Sequence, residues 1–89
     1  MHNRIVEIIK KKYPHLIAIY LYGSYADGTA TNFSDVDICV LMPEGSEIMR
    51  IDQDLNYDLT DTIEAAVHVV FCTEINEWCK KIIYKNEAL

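Results

Sequence analysis

The sequence predicts an α/β (α+β) domain, a small mixed sheet with helices packed on it, and three observations carry that reading. Three apolar runs rich in β-branched residues, at 16–22, 35–42 and 65–72, have the length and composition of buried strands. The segments around them repeat their apolar residues with the period of an amphipathic helix. Finally, 89 residues with 51% hydrophobic and 25% charged side chains suit one soluble domain, 1–89, built around a single core.

Taken in order, 3–12 predicts a helix. Ile5, Ile8 and Ile9, continued by Tyr13, line one side; Lys10, Lys11 and Lys12 place positive charge at the favoured end, and Pro14 stops it. The strand at 16–22 ends at Gly23-Ser24, and Gly28 with residues 29–34 reads as a loop. The second strand, 35–42, runs into a Pro43-Glu44-Gly45 turn. Ser46 has the chemistry of an N-cap. Ile48, Ile51, Leu55, Leu59 and Ile63 then trace a helical stripe flanked by Glu47, Asp54, Asp58 and Asp61. After the third strand, 65–72, Thr73 is expected to cap a last helix that keeps Ile75, Trp78, Cys79, Ile82 and Ile83 inside.

Net charge is −6, and residues 44–64 account for it with seven acids against one base. An acidic chain without a basic stripe argues against unaided nucleic-acid binding. Its acid-rich flank reads as a solvated face or as a docking surface for a basic partner. The longest apolar run, 16–22, is too short to cross a bilayer, and the first residues lack a signal-peptide pattern, so a cytoplasmic protein is expected. Cys39, Cys72 and Cys79 are an odd number without C-x-x-C spacing. Three buried free thiols are expected, rather than a disulfide framework or a zinc site.

The chemistry concentrates in YGSYADGTATNFSDVDICVL, residues 22–41. Strand alternation puts Asp35 and Asp37 on one face, about 7 Å apart along the chain, and Val36, Ile38, Val40 and Met42 on the other. Two neighbouring carboxylates repel, and desolvation sharpens the conflict. A divalent cation resolves it, since Mg²⁺ is commonly held by one or two carboxylates plus substrate phosphates. Gly23 at a strand end lets backbone approach a ligand closely, and Ser24 adds a hydroxyl donor beside the turn's amides. Strand, Gly-Ser turn and paired carboxylates on the next strand together suit a metal–triphosphate cradle.

Gly23-Ser24, ten residues, then Asp35-Val36-Asp37 resembles the signature of the polymerase-beta-like nucleotidyltransferases. Within that group, GSYADGT and SDVDICVL are most similar to the minimal nucleotidyltransferases (MNT) of antitoxin type, and the resemblance covers most of the chain. It implies the polymerase-beta-like fold and transfer of a nucleoside monophosphate, AMP from ATP, with loss of pyrophosphate. Gly23 and Ser24 would hold the nucleotide triphosphate. Asp35 and Asp37 would be catalytic and bind Mg²⁺ or Mn²⁺. The partner implied is a HEPN-type toxin ribonuclease, modified on a side chain such as tyrosine.

Two positions depart from that pattern. The resemblance implies a third carboxylate, usual in the family, on the third strand, whereas this strand reads Val67-His68-Val69-Val70, with His68 aligned to the missing acid. Imidazole is a poor Mg²⁺ ligand but suits softer divalent ions and can act as a general base near neutral pH. Glu64 and Glu74 bracket the strand as fallback carboxylates. Tyr25 and Asp27 stand where basic residues often follow Gly-Ser, and Asp27 would oppose bound phosphates. Two other readings stay open: a catalytically weakened module that neutralises its partner by binding, and a small-molecule, antibiotic-type nucleotidyltransferase. Homo-oligomerisation stays open as well.

Overall fold

The structure, a computed structural model, describes residues 2–31, 33–46 and 51–89. Among these the chain runs α1 (His2–Lys12), β1 (Ala18–Tyr22), α2 (Ser24–Asp27), β2 (Val36–Leu41), α3 (Gln53–Ile63), β3 (Val67–Cys72) and α4 (Glu77–Lys85). β2 is the middle strand, antiparallel to β1 and parallel to β3, so the sheet is mixed. The parallel step requires a crossover, and α3 supplies it.

Alternation along β2 feeds two apolar layers. Val36, Ile38, Val40 and Met42 meet Ile5 and Ile9 of α1, Leu55 and Leu59 of α3, and Val67, Val69 and Phe71 of β3. Cys39 and Leu41 face the other way, against Tyr20, Val70, Cys72 and the Cys79 and Ile82 side chains of α4. Burying a side chain of this size is worth about 1.5–3 kcal/mol, so the larger first layer supplies most of the stabilisation.

Asp52 joins the first layer's two helices. It caps α3 by accepting from the Leu55 amide at 3.1 Å, pairs with Lys12 at 2.8 Å, and accepts a hydrogen bond from the Tyr13 hydroxyl. Desolvation alone would raise its pKa; the hydrogen bonds from Lys12, Tyr13 and Leu55 outweigh that and bring it down to about 2. Burial, then Asp52, pushes the Tyr13 hydroxyl up to about 12.

Two helix starts differ from the sequence expectation. α3 begins after Asp52, not after Ser46, whose hydroxyl instead donates to the Pro43 carbonyl at 2.6 Å. Ile51 leaves the predicted stripe and forms an isolated antiparallel bridge with Val70; Glu47 and Ile48 lie outside the described residues. α4 begins after Asn76, whose side chain accepts from the Cys79 amide at 3.1 Å, while Thr73 only accepts, through its carbonyl, in the preceding turn. Ile75 therefore lies outside the helix and 74% exposed. In both cases a later Asx residue wins the cap, and Asp52 wins because partners 40 positions back in the chain reward it.

Both sheet edges are met by other parts of the chain. On β3 the Val67 and Val69 amides donate to Thr60 Oγ1 at 3.1 Å and Asn56 Oδ1 at 2.9 Å. That bond is why Asn56, a polar side chain, can sit only 8% exposed. Along β1, Ala88 bridges to Tyr20 and the Leu89 amide donates to the Ile19 carbonyl at 2.7 Å. Asp58 and Asp61, on the acid-rich flank, look across a groove at Arg4, Lys11 and Lys12 of α1, so the chain supplies some of its own counter-charge.

The three buried free thiols expected from the sequence are not what forms. Cys72 and Cys79 are joined by a disulfide and only Cys39 is free, with burial pushing its thiol up to about 11. The parallel β3 end and the first turn of α4 meet through a short connection, which brings the two sulfurs together.

Candidate active site

Register arranges the α4 side of the sheet in three rows. Tyr22, Asp37 and His68 form the first, Tyr20, Cys39 and Val70 the second, and Ala18, Leu41 and Cys72 the third. Cys79, Ile82 and Ile83 of α4 cover the second and third rows. The first row stays at the rim, with Asp37 half-buried and His68 exposed. Three strands thus deliver a phenol, a carboxylate and an imidazole to one open line.

Asp35 lies one residue before β2, exposed, on the Asp37 side by alternation, and it shares a shallow recess with His68, Asn56, Tyr57 and Thr60. Desolvation, and then the charge of Asp35, raise the pKa of Asp37; His68 offsets part of this. The oxygen-rich pair is therefore short of positive charge where it stands. That suits a hard divalent cation, and the donor set fits Mg²⁺ or Mn²⁺.

Gly23 has a double reason to be glycine. Its φ of +73° lies in the left-handed region, and a Cβ there would collide with Asp37 Oδ2 and lie 3.3 Å from Asp37 Cγ. The turn at the end of β1 is thus pressed directly against the carboxylate. Ala26 and Asp27 donate to the Gly23 carbonyl at 3.0 and 3.1 Å, closing the single turn of α2. The Ser24 and Tyr25 amides precede these bonds, at the start of the turn, where a helix leaves amides without intrahelical partners. Gly28, at φ +83°, ends the turn.

The two unusual residues after Gly-Ser are turned to other tasks. Tyr25 packs on the main core. Asp27 accepts from the Thr29 hydroxyl at 2.6 Å and amide at 3.1 Å; these bonds lower its pKa, and Lys85 adds to the effect. Tyr25 is thereby withdrawn from the turn, whereas Asp27, held ionised, still lines the space beside Gly23 and opposes an anion there.

A groove of about 290 Å³ opens beside Gly23 and is lined by Tyr22, Asp27, Trp78, Lys81 and Lys85. Trp78 meets the Tyr22 ring edge-on at 5.6 Å and is 37% exposed rather than inside. Lys81 and Lys85 are one helical turn apart and share that wall. In the sequence reading Lys81 has only the role of a favourable charge late in the last helix, and neither lysine has a part in the site. Their spacing from Trp78 is the one signal available, and it acquires meaning only once α4 is seen beside α2. Glu64 and Glu74 do not reach the sheet: Glu64 caps α3 in the left-handed conformation at φ +56°, and Glu74 lies exposed in the turn before α4.

Residues 2–89 match the Nucleotidyltransferase domain family, and the chain belongs to that family. It is 32% identical over 65 residues to the Protein adenylyltransferase MntA of Shewanella oneidensis, which is 73% of this chain and 43% of that protein. The chain thus spans less than half the length of that curated relative. A crystal structure of a toxin–antitoxin with AMP-PNP has a TM-score of 0.78 at 26% identity, covering 97% of this chain and 69% of that one. A tri-AMPylated Shewanella oneidensis HEPN toxin in complex with MNT antitoxin has a TM-score of 0.68 at 23% identity, covering 97% and 66%, and shows the fold alone. Among the described residues no helix is long and apolar enough to cross a membrane.

Proposed function

We propose that this chain is a nucleotidyltransferase that moves AMP from ATP to a side-chain hydroxyl of a protein partner, a toxin of the HEPN type. The observation that carries the reading is the contact between Gly23 and Asp37, which presses the Gly-Ser turn against the carboxylate pair. The similarity to an adenylyltransferase and to a toxin–antitoxin structure with AMP-PNP supports both the nucleotide and the class of acceptor.

In this reading the Ser24 hydroxyl and the first amides of α2 hold the triphosphate, and Lys81 and Lys85 offset its charge from the α4 side. Trp78 and Tyr22 offer aromatic surface to the base. Asp35 and Asp37 would hold Mg²⁺ or Mn²⁺, which when bound neutralises charge on the attacking and leaving oxygens. The acceptor oxygen bonds to the α-phosphorus, the bond from that phosphorus to the oxygen bridging to the β-phosphate breaks, and pyrophosphate leaves. An imidazole nitrogen of His68, next to Asp37, takes the hydroxyl proton.

Incubating the purified partner with this chain, ATP and Mg²⁺ should add the mass of one or more AMP groups. Asp35→Asn/Asp37→Asn should lower that rate by about 10³-fold or more, while the melting temperature holds. Unmodified partner in the wild-type reaction would refute the transfer.

One observation favours a second reading. The third strand offers His68 in register with Asp37, where the resemblance implies an acid, which suits a chain that neutralises its partner by occlusion. Under that reading Asp35→Asn/Asp37→Asn would leave inhibition of the partner intact.

A further inference from the structure

The buried sulfurs beneath α4 take no part in the chemistry above. Cys39 comes from the middle of β2, Cys72 from the end of β3 and Cys79 from the first turn of α4. Their Sγ atoms all lie within 4.8 Å of one another, and the three residues are 0%, 5% and 0% exposed. The Cys72–Cys79 disulfide uses two of them, and Cys39 Sγ is left 3.1 Å from Cys72 Sγ.

A second disulfide does not explain the third sulfur. Cys39 is in register with Val70, and Cys72 with Leu41, so Cys39 and Cys72 are diagonal neighbours two residues out of step on parallel strands. Strand spacing and rise put such a pair about 8 Å apart at Cα, beyond the ~7 Å that a disulfide spans without backbone movement. A cation removes the difficulty. Three sulfurs each at about 2.3 Å from one ion are themselves about 4 Å apart, a spacing these side chains reach once the Cys72–Cys79 bond is opened.

The surroundings narrow the ion. Tyr20, Leu41, Val70 and Ile82 wall the trio, a lining that excludes the hydration a hard cation keeps. Among the described residues no fourth Cys, His, Asp or Glu joins the group. Structural zinc almost always takes four ligands, whereas soft thiolate sets select Cu⁺. We propose that the reduced Cys39–Cys72–Cys79 trio is a three-sulfur site for a soft monovalent cation of the Cu⁺ class, closed when Cys72 and Cys79 are oxidised to the disulfide.

Opening the site consumes two equivalents of a low-molecular-weight thiol. One thiolate attacks the disulfide and displaces a cysteine thiolate; a second thiolate resolves the mixed disulfide, giving two cysteine thiols and one small-molecule disulfide. Cation entry then releases the protons of the coordinating thiols. Because coordination releases protons, the protein binds the ion more weakly as pH falls. Because Cys79 adjoins Trp78 on α4, the ion would tether one wall of the groove to the two strands that carry Asp37 and His68.

The test is anaerobic titration of the reduced chain with Cu⁺ against a coloured Cu⁺ chelator, with native mass spectrometry for stoichiometry. Wild type should take one Cu⁺ per chain from the chelator, C39S at least tenfold less readily, and the disulfide form none. C39A serves as a second variant, and far-ultraviolet circular dichroism checks that both fold. Failure of reduced wild type to compete with the chelator, or equal competition by folded C39S and C39A, would overturn the site. Neither readout involves nucleotide, so its failure leaves the transferase reading untouched.

Discussion

β2 has two faces with different purposes. On one, Val36, Ile38 and Val40 are fully buried between the sheet and the α1 and α3 helices. On the other, one residue away along the strand, Asp37 is half-buried beside Asp35 and pressed by Gly23, and its pKa is raised. One face is relaxed and holds the fold; the other carries like charges at its rim, which His68 offsets only in part. A strand can carry both because its side chains alternate and its neighbours are not the same on the two sides. Stability and site chemistry are therefore separable along one six-residue strand.

The contrast can be broken most forcefully at Ile38. Ile38→Ala should destabilise by about 2–5 kcal/mol, read by urea unfolding, because a fully buried side chain leaves a cavity. Asp37→Asn, the adjacent change, should have no such effect and should raise the melting temperature if it moves it, since desolvation and the Asp35 charge both act against the ionised form. A loss at Asp37 as large as that at Ile38 would merge the two faces.

Gly23 joins turn to carboxylate, so a change there should affect both. Gly23→Ala meets a positive φ and a collision with Asp37, with an expected loss of about 1–3 kcal/mol. It should also weaken binding of a nonhydrolysable ATP analogue in calorimetry. Binding equal to wild type would show that the turn does not shape the site.

Acid should destabilise the fold through the closed face. Asp52 is ionised in the fold down to about pH 2, against an ordinary carboxylate value of 3.8. The stability it contributes is fully present above the unfolded value and lost as pH falls from about 4 towards 2. Because Lys12 is 41% exposed, that contribution is discounted to about 1–2 kcal/mol. Comparing acid titrations of wild type and Asp52→Asn by circular dichroism should show the slope flatten in the variant.

The smallest effect lies away from both faces. Glu64 ends α3 at φ +56°, a conformation in which glycine is unstrained, so Glu64→Gly should stabilise by about 0.5–1 kcal/mol in thermal melts. Glu64 was a fallback metal ligand in the sequence reading; unchanged Mg²⁺-dependent nucleotide binding in this variant would remove it from the site.

Particular residues show how far the sequence reaches. Asp35 and Asp37 stood out as candidates because two carboxylates at strand spacing beside an apolar run need an explanation, and Gly23-Ser24 at a set distance offers one. His68 was singled out by alignment with the acid that the resemblance implies, and the register puts it beside Asp37. Lys81, Lys85 and Trp78 were not singled out, because nothing local to α4 says that it faces α2 across a groove. The caps at Asp52 and Asn76 were misassigned to Ser46 and Thr73, since competing Asx and hydroxyl residues have similar intrinsic cap strength. The pairing of Cys72 with Cys79 was likewise hidden, as odd cysteines without motif spacing say nothing of who meets whom.

The sequence by itself thus determined what is periodic or local: the strands and helices, the apolar faces, the Gly-Ser turn and the carboxylate pair. Tertiary structure alone decided which rim row stays uncovered, which lysines and which indole stand beside it, and that three sulfurs converge under one helix. The physical reason is one of range. Patterning and turn chemistry act between residues a few positions apart, whereas a groove or a sulfur cluster exists only when elements distant in sequence are docked.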